Sequence, residues 1–322
     1  MKYPVFDLHC DTALTMLGRE PGMSSELRKN HCHIDLERAA QLGGYAQCFA
    51  CFTTSWEELP GGITVEEMFR NEMNIVLREV EKNSDLIALA KSTEDIRRNQ
   101  EKGLMSAILT VEGPAGIGFD PARLEELHGI GFRISSLTWN EKNPLAGSHV
   151  TGGGLTDQGR EYVRECQRLG MLMDVSHLSD EAFWNLMDVN EGPVIATHSN
   201  SRSVHPVSRN LTDDMFRAIC RTGGVAGINL YNAFLGEEPV TLDTVCDHIF
   251  HFMEMDPEAK HICLGGDLDG CDAIPAGFDG IHSYNALAQR LLERGLNEDT
   301  IMDIYWNNAI GVMDRAVRNH KI

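Results

Sequence analysis

Residues 5–11, Val5-Phe6-Asp7-Leu8-His9-Cys10-Asp11, decide the fold, because their plan recurs along the chain. Each copy is a short apolar run, typical of a buried strand, that ends in a carboxylate or a histidine. A side chain just past the end of a parallel strand points to one edge of a sheet or to the mouth of a barrel. We therefore expect these endings to converge. The other copies are residues 108–112, 173–177, 194–198 and 262–267.

Strand-like and helical patterns alternate along the whole chain. Eight strands separated by helices predict a parallel sheet, and eight is the number that closes a (β/α)8 TIM barrel. A doubly wound open sheet is the alternative, but it would spread the polar endings along a line. We expect one catalytic domain over residues 1–322. Strands are predicted at 5–10, 45–53, 105–111, 132–137, 171–175, 194–197, 224–229 and 261–265, and helices at 34–42, 65–82, 123–128, 156–169, 180–188, 213–221, 242–255, 284–294 and 297–318.

Composition excludes several classes of protein. The net charge of −20 argues against binding to nucleic acid, which needs Lys and Arg patches. No run of 18 apolar residues is present, and the first seven residues lack an apolar signal core, so no membrane association is expected. If the chain is complete, these features and the odd count of nine cysteines predict a cytoplasmic protein. A homodimer is expected only from the base rate of soluble assemblies.

Five side chains at the strand ends form a set suited to two divalent metal ions. His9 and Asp11 are two residues apart on an extended segment, so both can hold one cation, and the two oxygens of Glu112 can bridge two cations. His177 and His198 each follow an apolar strand, and neutral imidazole is a common metal ligand. A single such histidine is more often a hydrogen-bonded core residue, but the set favours metal binding. The N/O mixture favours Zn²⁺, although Mn, Co or Fe would suit the same ligands.

Two further residues suit a catalytic site. Asp267, in a Gly-Gly-Asp-Leu-Asp-Gly segment, is a candidate general acid or base, with Asp269 as its structural partner; a turn stabilised by Asp-Gly is the alternative. Arg209 follows the sixth predicted strand and could hold a substrate carboxylate with its planar guanidinium. The alternative for Arg209 is a surface side chain paired with Asp213 or Asp214.

Taken in order, six motifs of the chain resemble the membrane dipeptidase (renal dipeptidase) family of amidohydrolase-type barrels. The resemblance implies a binuclear zinc peptidase with one metal on His9 and Asp11, the other on His177 and His198, and Glu112 as the bridge. It also implies that Asp267 transfers the proton and that Arg209 binds the terminal carboxylate of the substrate. The motifs are residues 7–11, 111–113, 174–179, 197–199, 208–210 and 266–270.

The chain departs from the family pattern at two places. The family has Leu-Thr-His after the fourth strand, where the His is thought to polarise the scissile carbonyl, whereas this chain has Trp139 followed by Asn140. We expect Asn140 to supply a hydrogen-bond donor to the substrate. The family tyrosine after the seventh strand is replaced by Phe234, with Tyr231 nearby as a substrate contact.

These inferences predict hydrolysis of dipeptides, including L-Xaa-D-Xaa dipeptides, by a water that bridges two metals. One rival is another amidohydrolase-type activity, such as an N-acyl-amino-acid deacylase, a lactonase or a phosphotriesterase. Those sites often use a carboxylated Lys as the bridge, whereas the third predicted strand ends in Glu112. The other rival is a catalytically weak, metal-containing binding protein, which the presence of Trp139 keeps open.

Overall fold

Eight parallel strands close into a barrel in the computed structural model, which describes residues 2–18, 26–54 and 62–319. Going round the ring the order is β1-β2-β4-β5-β6-β7-β8-β9, and pairing of β9 with β1 closes it. The predicted TIM barrel is confirmed, and the open sheet is wrong. The strands are β1 Val5–Cys10, β2 Tyr45–Phe52, β3 Ile87–Leu89, β4 Met105–Glu112, β5 Phe132–Ser136, β6 Leu172–Asp174, β7 Val194–Ala196, β8 Val225–Ile228 and β9 Ile262–Leu264.

Helices surround the ring, and several of them begin where a Ser or Thr accepts a backbone N–H of the first turn, which satisfies a donor that the helix leaves free. Thr156 caps its helix in this way by accepting the N–H of Gly159. The helices are α1 Thr12–Met16, α2 Leu36–Ala39, α3 Val65–Lys82, α4 Thr93–Glu101, α5 Leu124–Ile130, α6 Asp157–Arg168, α7 Asp180–Met187, α8 Asp213–Arg221, α9 Asn232–Leu235, α10 Leu242–Met255, α11 Tyr284–Glu293, α12 Glu298–Met302 and α13 Asn308–Asn319.

Several elements differ from the sequence prediction. Strand β3 and helices α1, α4 and α9 were not predicted, because β3, α1 and α9 are short and α4 buries few apolar side chains. Strand β3 pairs with the start of β4 and lies outside the closed ring. The last predicted helix is interrupted by a π-helical turn at Asp303–Asn307, after which Asn308 donates to the carbonyl oxygens of Ala259 and Ile262.

The inside of the barrel is apolar near the amino ends of the strands. Helix α13 and the turn before it pack across this end, where the Trp306 ring lies 5.9 Å from that of Phe6. We call this cluster the floor. Burial of its side chains supplies a large part of the hydrophobic stabilisation inside the ring. The floor consists of Phe6, Leu8, Ala46, Cys48, Ile108, Ile134, Leu172, Ile195, Val225 and Cys263 together with Trp306, Ala309, Ile310, Val312, Met313 and Ala316.

An irregularity in β1 sets the direction of its last side chains. Relative to β2, one extra residue lies between Asp7 and Cys10, as in a β-bulge. Leu8 therefore joins the apolar interior while His9 turns toward the carboxyl ends of the strands, which we call the mouth. No helix within the described ranges is long and apolar enough to cross a membrane.

Candidate metal centre

The five predicted ligands converge at the mouth. Two groups of three that contain Glu112 have ligand atoms that all lie within 4.8 Å of one another, as does a third group, His9, His198 and Asp267. The first group is His9, Asp11 and Glu112, and the second is Glu112, His177 and His198. All five residues are buried, so their polar atoms are removed from bulk water. The structure therefore brings together the whole predicted ligand set.

Glu112, the last residue of β4, divides its two oxygens between the groups. Its Oε2 lies 3.4 Å from Nε2 of His9. Its Oε1 lies 3.1 Å from Nε2 of His177 and 3.6 Å from Nε2 of His198. One carboxylate oxygen thus faces each group, which is the arrangement that a bridging ligand needs.

Neighbouring side chains determine which nitrogen of His198 carries the proton. The hydroxyl of Thr197 donates to Oδ2 of Asp174 over 2.6 Å, so its single proton is used there. The contact of 2.7 Å between Thr197 Oγ1 and His198 Nδ1 must then be donated by the imidazole. Its Nε2 keeps a lone pair, which points toward Glu112. Such an outer partner fixes both the tautomer and the orientation of a metal-binding histidine.

Asn140 does the same for His177. Its Oδ1 lies 2.9 Å from Nδ1 of His177 and 2.8 Å from Nε2 of His149, and an amide oxygen can only accept. Both rings therefore donate to Asn140, and His177 keeps a lone pair on Nε2. His149 Nδ1 in turn lies 3.0 Å from the hydroxyl of Ser208, which donates to it.

In the second group these assignments leave acceptor atoms facing one another with no proton between them. The Nε2 atoms of His177 and His198 are 3.0 Å apart, and both face Oε1 of Glu112. In the first group, Nε2 of His9 and Oδ1 of Asp11 are buried and form no hydrogen bond. Buried polar atoms in proteins are normally paired, and a cation in each group would satisfy all of them. The residues present therefore fit two divalent cations.

The charge states of the two histidines also suit metal binding. Burial lowers the pKa of His177 well below its usual value, and the nearby Arg209 guanidinium lowers it further. Burial likewise lowers the pKa of His198, helped by His9 and Arg209. Both rings are therefore neutral at physiological pH, which is the form of imidazole that binds a metal.

Asp267 stands at the edge of the first group, with its Oδ1 3.9 Å from Nε2 of His9. Asn229 donates to its Oδ2 over 2.9 Å. Burial raises the pKa of Asp267 to about 7, and the carboxylates of Asp11 and Glu112 add to this effect while His9 opposes it. A carboxyl group with this pKa can both accept and donate a proton near neutrality.

The backbone around Asp267 is shaped to bring carboxylates together. Asp267 has φ +57°, in the left-handed region that non-glycine residues rarely adopt. A Cβ on Gly270 would lie 2.1 Å from Oδ2 of Asp11 and 2.5 Å from Oδ1 of Asp267. Only glycine leaves room for both carboxylates at this point. His177, with φ +70°, is strained in the same way.

Arg209 is buried, with 4% of its surface exposed, and so is not the surface side chain of the alternative interpretation. Its Nη1 donates to the hydroxyl of Ser199 and its Nη2 to the carbonyl oxygen of His198. Its guanidinium lies 5.5 Å over the ring of Phe234, and Nε has no partner. Both terminal nitrogens of the Arg209 guanidinium are therefore held in place, one of them by the backbone of the candidate ligand His198.

A cleft of about 250 Å³ opens over these groups. Tyr231 lines it, with its hydroxyl 3.5 Å from Oδ2 of Asp272 and its ring 4.9 Å from that of Phe234. Trp139 and Asn140 lie on another side of the same cleft. The lining residues are Asp11, Leu14, Phe52, Glu112, Trp139, Asn140, His177, Tyr231, Phe234, Asp267, Gly270 and Asp272.

A larger cleft of about 670 Å³ lies at the opposite end of the barrel, near the starts of β6 and β7. Its charged side chains are Arg164, Arg168 and Glu191, and no histidine lines it. Size alone therefore does not identify the functional cleft, and the smaller one holds the convergent chemistry.

Sequence reasoning missed the outer partners of the histidines. Asp174 and Thr197 were noted only as parts of motifs, and Asn140 was expected to face the substrate. A detectable signal existed, since Asp174 and Thr197 both lie at the ends of strands that precede a candidate ligand. Which side chain accepts the imidazole proton depends on loop geometry, which the sequence pattern does not contain.

Several known proteins that resemble this chain are named as dipeptidases. The chain matches the membrane dipeptidase family (peptidase family M19) over residues 1–321. It is 36% identical over 214 residues to a protein of Schizosaccharomyces pombe named as an uncharacterised dipeptidase, which covers 65% of this chain and 52% of that protein. A second dipeptidase so named from the same yeast is 31% identical over 81% of this chain and 67% of its own length. The chain thus spans about half the length of the first of these relatives.

Two solved structures superpose over nearly the whole chain. One is a metallopeptidase from Rhodobacter sphaeroides bound to a phosphinate mimic of L-Ala-D-Ala, with 26% identity and a TM-score of 0.89 over 98% of this chain and 100% of that one. The other is the metallopeptidase dipeptidase AC of family M19, with 27% identity and a TM-score of 0.86 over 98% of this chain and 99% of that one.

Proposed function

This chain belongs to the membrane dipeptidase family (peptidase family M19), and we propose that it is a metallopeptidase that cleaves dipeptides with two divalent metal ions. Zn²⁺ is the ion that we propose, because the ligand set is three imidazoles and two carboxylates. His9 and Asp11 would hold one ion, His177 and His198 would hold the other, and Glu112 would be shared between them. When bound, such ions lower the pKa of a water molecule and polarise the scissile carbonyl.

One observation carries the proposal: in the second group the Nε2 atoms of His177 and His198 and Oε1 of Glu112 face one another without a donor between them. A purely structural polar cluster would alternate donors with acceptors, because an unpaired buried polar atom is costly. Here the protons that could have filled the gaps are committed elsewhere, to Thr197 and to Asn140.

Asp267 is the residue that moves the proton. Its carboxyl group can take a proton from the attacking water and pass it to the leaving amine, since burial raises its pKa above the usual range of a carboxyl group. Asn229 donates to its Oδ2, which leaves Oδ1 directed toward the ligand groups. A carboxyl group with an ordinary pKa would be a much weaker donor to the amine.

Arg209 binds the C-terminal carboxylate of the substrate, and this contact restricts cleavage to short peptides. The guanidinium is oriented by Ser199 and by the carbonyl of His198, so little side-chain entropy is lost when a substrate binds. We propose dipeptides of L-Xaa-D-Xaa type among the substrates, since the Rhodobacter metallopeptidase binds a mimic of L-Ala-D-Ala.

Other amidohydrolase-type activities have less support. The bridging position between the two groups is taken by a glutamate and not by a lysine that could be carboxylated. A binding protein without turnover would have no use for a proton acceptor such as Asp267 beside the ligands, with a pKa near neutrality.

The test combines metal analysis with turnover on one sample. The purified protein is analysed for bound metal, and then assayed on L-Ala-L-Ala and L-Ala-D-Ala before and after chelation and with metal restored. About two equivalents of metal and chelator-sensitive cleavage are expected. Equal rates on a dipeptide and on its C-terminal amide would contradict the role of Arg209. Metal without cleavage of either dipeptide would contradict the proposed activity.

A further inference from the structure

One side of the cleft is an apolar wall. We use this name for Leu14, Phe52 and Trp139, which line the cleft together. Leu14 and Phe52 form, with Met68 behind them, an apolar cluster separate from the two main clusters of the barrel, and Trp139 packs against it. The Trp139 ring meets that of Phe52 edge to face, with centroids 5.0 Å apart. The wall is thus a built surface with rigid aromatic members.

The wall lies next to the candidate metal groups. The centroid of the Trp139 ring is 6.4 Å from that of His177, and Glu112 and Asp11 line the same cleft. A side chain attached to a peptide whose carbonyl lies over the ligand groups would therefore reach the wall without leaving the cleft.

The position of the wall in the barrel is opposite to Arg209. Leu14 and Trp139 follow β1 and β5, and Phe52 is the last residue of β2, whereas Arg209 follows β7. In the ring of eight strands, β7 lies directly across from β2. Tyr231 and Phe234 follow β8, and Arg209 is stacked on Phe234. Arg209 is not among the residues that line the cleft, but it stacks on Phe234, which is, so this cation lies behind the side opposite the apolar wall.

From this arrangement we propose that the apolar wall is the specificity pocket for the side chain of the substrate's N-terminal residue, and that it selects apolar side chains there. The inference rests on the proposed function, because the carboxylate on Arg209 fixes which end of the dipeptide meets which side. The C-terminal residue lies toward Tyr231 and Phe234, and the N-terminal residue extends to Trp139.

The identity of residue 139 supports this role. An indole offers one N–H donor and no acceptor, and most of its surface is apolar. It therefore adds contact area for a side chain more than it adds polar chemistry. At this position the family pattern has a histidine, so the wall is a feature in which this chain differs from that pattern. Trp139 is a specificity residue by this reasoning and not a proton donor.

The experiment compares substrates that differ only in the N-terminal side chain. Values of kcat and KM are measured for Gly-D-Ala, L-Ala-D-Ala and L-Leu-D-Ala with the wild type and with Trp139→Ala, Trp139→Phe and Trp139→His. In the wild type we expect kcat/KM to rise from Gly to Leu. In Trp139→Ala the Leu/Gly ratio should fall by roughly tenfold or more, since apolar contacts discriminate by such factors. Trp139→Phe should keep most of the ratio.

Trp184→Ala is the matched control. Trp184 lies on α7 with 40% of its surface exposed and does not line the cleft. Its replacement should leave the Leu/Gly ratio unchanged. Circular dichroism and metal content of each variant show whether the fold is retained, and Phe52→Ala probes the same wall from β2.

The outcomes separate this inference from the proposed function. If Trp139→Ala changes kcat by the same factor for all three substrates, the residue acts on the reacting bond and the specificity assignment is wrong. If the wild type cleaves none of them, the proposed function is wrong. Binding of two phosphinate dipeptide mimics, with Gly or Leu at the N-terminal position, then decides the wall separately. Equal affinities of the wild type for both mimics, or failure to bind either, would overturn it.

Discussion

The mouth and the floor of the barrel are made by the same eight strands, yet their side chains follow opposite rules. At the floor, Phe6 packs against Trp306, and Ile195 belongs to the same apolar cluster. At the mouth, His9 Nε2 and Asp11 Oδ1 are buried without a hydrogen-bond partner. Burial stabilises the folded state at the floor, whereas it raises the cost of every unpaired atom at the mouth.

The floor therefore mainly stabilises the fold, whereas the mouth holds the groups proposed to act in function. Like groups held close together, and residues at positive φ such as His177 and Asp267, are costs that surrounding structure must offset. The floor can offset these costs because its buried side chains are apolar and stabilise the folded state. Mutations at the floor should then lower stability without changing the chemistry, and conservative mutations at the mouth should do the reverse.

The largest expected effect is that of Asp267→Asn at the mouth. The amide keeps the shape and can still contact Asn229, but it cannot take up a proton, so kcat/KM should fall roughly 1,000-fold. Metal content and melting temperature should stay close to those of the wild type. The measurement is steady-state turnover of L-Ala-D-Ala at saturating metal, with elemental analysis of the same sample.

Asp214→Asn is the control for this change, because Asp214 is exposed on α8 and pairs only with Arg217 among the ion pairs described. It should leave kcat/KM unaltered. Full turnover by Asp267→Asn with two bound metals would show that another group transfers the proton.

Phe6→Ala tests the floor. The loss of a buried aromatic ring that packs on Trp306 should lower the free energy of unfolding by about 3–4 kcal/mol. Metal affinity of the folded protein should be unchanged, since Phe6 does not contact the ligands. Urea unfolding of the metal-free protein and chelator competition provide the two measurements. Val317→Ala on the exposed side of α13 should change neither quantity. A drop in metal affinity with Phe6→Ala would show that the two ends are coupled.

The barrel and its ligand set were predictable because each depends on a local pattern. Apolar runs that end in His9, Glu112 or His198 specify both a strand and the direction of its last side chain. The three-residue strand β3 and the polar helix α4 carry too little pattern to be recognised. The interruption of the last helix at residues 303–307 was also missed, since a π-turn leaves no mark in periodicity.

Features of the site that depend on contacts between distant segments could not be predicted from the sequence. The bulge between Asp7 and Cys10 aims His9 into the mouth, and no residue in that stretch signals an extra position. The double acceptance by Asn140 joins His149 and His177, which lie on different loops. Sequence spacing determines neither, because both arise from how distant segments pack.

His248 is a useful contrast to the histidines of the mouth, because it is buried but both of its ring nitrogens form hydrogen bonds. The N–H of Ser201 donates to its Nδ1, and its Nε2 donates to the carbonyl of Leu235. Through these two bonds it ties α10 to the loop after β7 and to the end of α9. Burial lowers the pKa of His248 to about 4. Because the unfolded chain binds a proton near pH 6.5, stability should be full above that pH and be lost as pH falls toward 4.

The expected loss at His248 is about 2 kcal/mol at about pH 5 and approaches about 3 kcal/mol near pH 4. Urea unfolding of the metal-free protein between pH 7 and pH 5 measures it. His248→Gln should be less stable at pH 7 but should lose less on acidification than the wild type. His31→Gln, at an exposed position, should follow the wild type. Identical acid slopes for His248→Gln and the wild type would contradict the assignment.

The smallest expected effect concerns Asn140, which links the candidate ligand His177 to its surroundings. Asn140→Leu removes the acceptor of the His177 Nδ1–H, so the affinity for the metal in the second group should fall roughly 10- to 100-fold. Asn140→Asp keeps an acceptor at the same place and should retain the affinity. Chelator competition measures both, with Asn285→Leu on α11 as the control. If Asn140→Asp binds metal normally but loses turnover, the amide N–H also contacts the substrate, as the sequence suggested. Wild-type metal affinity in Asn140→Leu would instead mean that Glu112 and His198 alone orient the site.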